Sequence, residues 1–156
     1  VLHKRVPLSQ YGGGVTSVDV SSKNLVAVAV QGFKKTDPGT VVFLAPSGQV
    51  IRTAPVGALP DMVTFTPDGT KLLVAFRAPQ TDANTRDKAV VLELAVAGLV
   101  DASGGAAPNV SAVHELNLGG RGIRSIEKAG MSIVPPRSMP CLRASRNWFT
   151  RSACGG

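Results

Sequence analysis

The sequence predicts an all-β chain: a partial β-propeller of about two to three four-stranded antiparallel blades, followed by an irregular C-terminal tail. Three observations carry this prediction. Short apolar or alternating runs recur, separated by Gly, Pro, Asp and Ser turns. A four-run unit repeats at an offset of about 45 to 49 residues, so that Val18 falls on Val63, Val26–Val30 on Leu72–Phe76, and Val41–Phe43 on Val90–Leu92. No stretch of helical period separates successive runs, which argues against a βαβ fold. An antiparallel sandwich is the competing architecture.

The elements follow in order. Residues 1–10, "VLHKRVPLSQ", read as the last strand of a preceding blade. The first blade, about 12–57, opens with "GGG" and the alternating Thr16–Val20, turns at "SSKN", and continues in the apolar Leu25–Val30. After a turn containing Thr36–Gly39 ("TDPG") come Thr40–Ala45, the tight turn "PSG" and a fourth strand, Gln49–Thr53. The second blade, about 58–118, repeats this with Met62–Thr66, Lys71–Phe76, Lys88–Leu94 and Ala112–Leu118. Between its first two strands, "TPDGT" has the chemistry of a hairpin turn. Pro67 presets its own φ, Asp68 can accept from backbone amides, and Gly69 takes the φ > 0 position. Continuous apolar runs in the second and third strands fit sheets covered on both faces.

Composition narrows the function classes. The 156 residues are 44% hydrophobic, enough for a buried core, but include only two histidines, His3 and His114, in no ligand or triad spacing. The longest apolar runs fall well short of the ~18 residues of a membrane span. Of the net charge of +7, residues 121–156 supply most, with seven Lys/Arg against the single acid Glu127. The arginines there, with Trp148 and Phe149, follow no helical or strand spacing, so no nucleic-acid partner is expected. Cys141 and Cys154 match no zinc spacing. "YGGGV" resembles a phosphate loop but is followed by a strand rather than a helix, so Gly13 and Gly14 read as a tight connection between blades. Asp37, Asp68, Asp82 and Asp87 are the calcium candidates. One aspartate per turn is far short of the about six to eight oxygens calcium wants, so no cofactor is expected. Asp61, beside Pro60, is expected to bond backbone amides.

Several stretches together resemble a known family. "GGGVTSVDVSSKNLVAVAV", "KTDPGTVVFLAPSGQV" and "VGALPDMVTFTPDGTKLLVA" are similar to the choice-of-anchor I domain, an extracellular β-propeller family related to sequences labelled mesenchyme-specific cell surface glycoprotein. The likeness runs from about Leu2 to Ala75 and returns at "GIRSIEKAGMSIVPP". It implies a secreted, periplasmic or surface-attached protein of about seven blades, often joined to phosphatase, nucleotidase or nuclease modules. Where the family continues with an acidic stretch, this chain reads Phe76–Gln80, "FRAPQ". The similarity ends after Pro136. The stretch "RSMPCLRASRNWFTRSACGG" suits either a shifted reading frame or a divergent natural tail. Residues 121–156 therefore read as the start of a further blade running into a non-native or disordered basic tail.

A propeller closes with at least ~4 blades, so the chain reads as a fragment. Its expected partners are neighbouring blades or a fused enzyme domain, with a glycan or protein ligand at the loops. The expected function is a non-catalytic structural or interaction module. The alternative is a fragment of a metal-dependent phosphatase- or phytase-like propeller hydrolase.

Overall fold

The computed structural model describes residues 4–77, 88–97 and 108–127, together with the backbone of 144–145 and 148–152. The chain is all-β. A 3-10 turn, Ser9–Tyr11, precedes β1 (Gly14–Val20), β2 (Val26–Gln31), β3 (Pro38–Leu44) and β4 (Val50–Ala58). The second unit comprises β5 (Pro60–Phe65), β6 (Lys71–Phe76), β7 (Lys88–Ala95) and β8 (Asn109–Asn117). Each unit is an antiparallel sheet whose strands lie in sequence order, β1-β2-β3-β4 and β5-β6-β7-β8, an up-and-down meander. No described helix is long and apolar enough to cross a membrane.

The central strands are apolar throughout because both of their faces are covered. In β2, Ala27 and Ala29 point to one face and Val28 and Val30 to the other, all within 5% exposure. β6 repeats the arrangement, with Leu72, Val74 and Phe76 on one face and Leu73 and Ala75 on the other. The larger core lies between the sheets: Leu25, Ala27, Ala29, Val41 and Phe43 of the first unit meet Val63, Leu72, Val74 and Phe76 of the second. On its far face the second sheet packs against Ile123 and Ile126 of β9 (Ile123–Glu127). The far face of the first sheet carries Val28, Val30, Val42 and Leu44, with Val6, Leu8 and Tyr11 laid against them.

The observed strands differ from expectation chiefly at their ends. β4 runs on to Ala58, past Thr53, because ladder pairing to β3 continues through Pro55↔Thr40 and Val56↔Gly39. β8 begins at Asn109 rather than Ala112, since Val110 still pairs with Leu94 across a bulge at Glu93/Leu94. Residues 4–8 form no ladder with any described strand. The tail carries no alternating pattern, yet contributes β10 (Ala144–Ser145) and β11 (Trp148–Ser152), with β11 antiparallel to β9. Backbone pairing to an open strand edge needs no side-chain alternation.

Candidate functional site

The two sheets meet at their first strands, β1 and β5, and polar side chains bind them. The Thr16 hydroxyl donates to the Pro60 carbonyl at 2.6 Å. The Val63 N–H donates to Ser17 Oγ at 3.2 Å, and the Phe65 N–H to Asp19 Oδ2 at 2.7 Å. The other carboxylate oxygen, Oδ1, accepts from Val20 N–H at 2.8 Å. Asp19 therefore joins two strands with one side chain. It does so because alternation along β1 sends Val18 and Val20 to one side and Asp19 to the side facing β5. The outer N–H groups of β5 would otherwise face a neighbouring sheet edge unpaired.

The candidate aspartates sit within their own turns. Asp37 Oδ2 accepts from Lys34 N–H at 3.0 Å, and the Asp37 N–H returns to the Lys34 carbonyl at 3.0 Å. Asp68 accepts from the Thr66 hydroxyl at 2.5 Å, the Thr70 N–H at 3.1 Å and the Thr70 hydroxyl at 2.8 Å. Gly69 follows at φ +66°, donating to the Thr66 carbonyl at 2.8 Å. Pro67 occupies the turn position between Thr66 and Asp68. Asp82 and Asp87 lie outside the described residues, as do His3, Cys141 and Cys154.

Asp61 corrects its expectation. It pairs with the Arg77 guanidinium instead of with backbone amides, because Arg77 at the end of β6 is brought beside the start of β5. The backbone-capping role belongs to Asp19, which sequence reasoning did not single out. Among the described residues, no group of three or more His, Cys, Asp and Glu side chains is placed to hold a metal.

The glycines differ in their constraints. Gly13 N–H donates to the Gln31 carbonyl at 2.9 Å, and a Cβ there would lie 2.9 Å from the Gly32 carbonyl oxygen. A Cβ at Gly14 would meet only the Gln31 side chain, at 3.4 Å. The tightest approach is at Gly12, where a Cβ would lie 2.1 Å from the Gln31 carbonyl oxygen. Beside these glycines a cleft of about 280 Å³ opens between Val6, Leu8, Val15 and Val30.

A polar ladder crosses the outer strands of the second sheet. Glu93 on β7 accepts from Lys71 at 2.7 Å and from the Ser111 hydroxyl at 2.9 Å, with His114 Nε2 at 3.5 Å. Lys71 holds the Glu93 carboxyl below the usual carboxylate range, against the opposing effect of partial burial. Lys88 pairs with Glu115 at 2.5 Å. His114 is thus a strand residue in a surface ion-pair network, and its carboxylate partner is already shared with a lysine.

The turn bonds shift Asp68 most strongly. The Thr66 hydroxyl, then the Thr70 amide and hydroxyl, lower its pKa from 3.8 to about 2. A depressed folded-state pKa means that the ionised turn contributes stability above the unfolded value, and that this contribution is lost as pH falls from 3.8 to about 2. Replacing Thr66 with Val removes the leading donor. The expected result is an Asp68 pKa closer to 3.8, read from the side-chain carboxyl resonance in an NMR titration; an unchanged pKa would show that the turn bonds are not its cause.

Comparison with known proteins comes down to family level. No curated protein matches the chain. A solved structure described as the crystal structure of the eukaryotic initiation factor aligns with 64% of this chain and 21% of its own, at 17% identity and a TM-score of 0.40. That likeness is too low to support any argument. The family model of the choice-of-anchor I domain matches residues 1–128, covering both four-stranded sheets and β9. The chain belongs to the choice-of-anchor I domain family.

Proposed function

We propose that this chain is a non-catalytic structural and interaction module, part of a secreted or cell-surface β-propeller that presents its loops to a glycan or protein ligand. Family membership supports the extracellular, surface-associated setting. The observation that carries the non-catalytic reading is the commitment of the carboxylates. Among the described residues, every Asp and Glu except Glu127 holds a backbone amide, a hydroxyl, a lysine or an arginine of the fold. Asp19 caps β5, Asp37 and Asp68 close turns, Asp61 holds Arg77, and Glu93 and Glu115 face lysines. Carboxylates that do catalytic or metal-binding work need free lone pairs converging on one point. These are spread over separate turns and strands. No observation favours the phosphatase- or phytase-like alternative.

The test is hydrolysis of p-nitrophenyl phosphate by the chain, with and without added calcium, beside a calcium titration followed by calorimetry. The expected outcome is background hydrolysis in both conditions and no saturable calcium heat. Calcium-dependent turnover that titrates with protein concentration would overturn the non-catalytic reading.

A further inference from the structure

The sequence holds five asparagines, and one of them, Asn109, opens the run Asn-Val-Ser-Ala at 109–112. An asparagine with a serine two residues on, and no proline between them, is the acceptor pattern for N-linked glycosylation. None of the other four asparagines has a serine or threonine at that position. A short pattern arises by chance, so the weight falls on where the fold puts it. Asn109 is the first residue of β8, is exposed, and pairs with Ala95 of β7. The other described asparagines have structural roles. Asn24 takes a left-handed backbone, φ 61°, in the turn after β1, and Asn117 Oδ1 accepts from Gly119 N–H at 3.2 Å. Asn109 has neither: its φ is not positive, and no hydrogen bond to a described residue holds its side chain. Asparagine is disfavoured in strands, so a strand asparagine without such a bond adds nothing to the sheet.

The strand that carries it has an edge to protect. β8 is the outermost strand of the second sheet, 9 residues long, and among the described residues nothing pairs with its outer side. Val110 and Val113 on this strand are 51% and 55% exposed. An open edge with apolar side chains is a template for pairing with another chain. The outermost strand of the first sheet, β4, contains Arg52 and an exposed Pro55, residue types that discourage such pairing. β8 contains no lysine, arginine or proline, and a bulge beside Leu94 interrupts its ladder. A hydrated oligosaccharide at the first residue of this edge would supply the obstruction that the side chains do not.

We propose that Asn109 is an N-glycosylation site and that its oligosaccharide shields the open edge of β8. The proposal rests on the reading of the chain as a secreted or cell-surface module, because the donor and its transferase lie on the secretory route. The donor is an N-acetylglucosamine oligosaccharide joined to a lipid pyrophosphate. Asn109 Nδ2 forms a bond to C1 of the first sugar, and the bond from C1 to the pyrophosphate oxygen breaks. The lipid pyrophosphate leaves with that electron pair, and one Nδ2 proton is lost to water. Ser111 fixes the timing. Its hydroxyl, which the acceptor pattern requires, donates in the folded chain to the Glu93 carbonyl at 3.1 Å and to Glu93 Oε1 at 2.9 Å. The transferase therefore meets a free Ser111 hydroxyl before β8 pairs with β7, and the sugar is in place when the sheet closes.

The test directs the full chain into the secretory route of a eukaryotic host with a cleavable signal and collects it from the medium. The expected product carries one oligosaccharide. Peptide N-glycosidase removes it, and peptide mass spectrometry then finds aspartate in place of Asn109. Asn109→Gln and Ser111→Ala abolish the mass shift, whereas Ser111→Thr keeps it. The threonine variant separates loss of the acceptor pattern from loss of the bond to Glu93. A secreted chain with no shift overturns the site, and so does a shift that survives Asn109→Gln. Shielding is read by agitating the glycosylated chain beside the same chain after enzymatic removal of the sugar. The bare chain is expected to aggregate faster by about threefold or more, and equal rates overturn the shielding role. Fractionation of the natural source tests the reading beneath the proposal. A cytosolic protein overturns the extracellular reading and the natural modification with it, whereas a surface protein that stays unmodified overturns the site alone.

Discussion

Phe43→Ala is expected to destabilise the chain by about 3–5 kcal/mol, the range for an aromatic truncated in a core that cannot collapse around the void. Phe43 lies near the C-terminal end of β3 with no exposed surface and belongs to the core shared by both sheets. Its neighbours in the ladder, Ala27 on β2 and Arg52 on β4, pin its backbone on both sides. Strands fixed by hydrogen bonds to each other cannot close in to fill the space, so most of the cavity persists. Against a typical domain stability of about 5–15 kcal/mol, this is a large fraction of the total. Urea denaturation measures it directly. Val18→Ala is the matched comparison: with 61% of its surface in water, it is expected to change stability by less than about 0.5 kcal/mol. If the two substitutions proved equally mild, the inter-sheet core would not be the main support of the fold.

That contrast bears on what the residues alone could tell. The central strands were legible because burial on both faces forces an unbroken apolar run. Lys71–Phe76 matches β6 residue for residue, and the PDG turn before it is built from residues whose backbone chemistry permits little else. The ends of the outer strands were not legible. β4 continues through Ala54, Pro55 and Val56, a segment with no strong alternation, because its partner β3 offers ladder groups for that length. The joint between sheets was the least legible part. Asp19 holds Phe65 across 46 residues of sequence, and nothing in the local pattern marks it as different from any polar residue on an alternating strand. Comparison of the repeats hides it further, since the mates of Thr16, Ser17 and Asp19 are Asp61, Met62 and Thr64. Two units with the same backbone thus use different side chains at the same edge, and Asp61, freed from capping, takes Arg77 instead. A signal was present in one respect: on β1 every residue from Thr16 to Val20 that is not valine carries an oxygen, which is the composition of a strand edge that must satisfy another strand's amides.

The glycines before β1 give the second large expected effect. Gly12→Ala is expected to cost about 1–3 kcal/mol, toward the upper end of the range for overpacking. The backbone at Gly12 is extended, at φ 160° and ψ −169°, so the angles themselves exclude no residue. The constraint is space. A Cβ would lie 2.1 Å from the Gln31 carbonyl oxygen and 3.0 Å from Val30 Cγ1. Relief by moving the chain outward is blocked, because the next residue's N–H donates to that same Gln31 oxygen at 2.9 Å, and any shift that clears the methyl group stretches this bond. The clash is therefore with backbone at the end of β2, where displacement propagates into the Gly14↔Gln31 pairing that starts the β1–β2 ladder. Gly14→Ala, two residues on, is the control: its Cβ meets only the Gln31 amide nitrogen at 3.4 Å, an ordinary contact that a flexible side chain can accommodate. Reduced freedom of the unfolded chain then makes that substitution neutral or stabilising by about 0.4–1 kcal/mol. Urea midpoints of the two variants should accordingly move in opposite directions, or at least differ by more than about 1 kcal/mol. Equal effects would mean that the close approach at Gly12 is relieved in solution, and that the entry into the first sheet is looser than its hydrogen bonds imply.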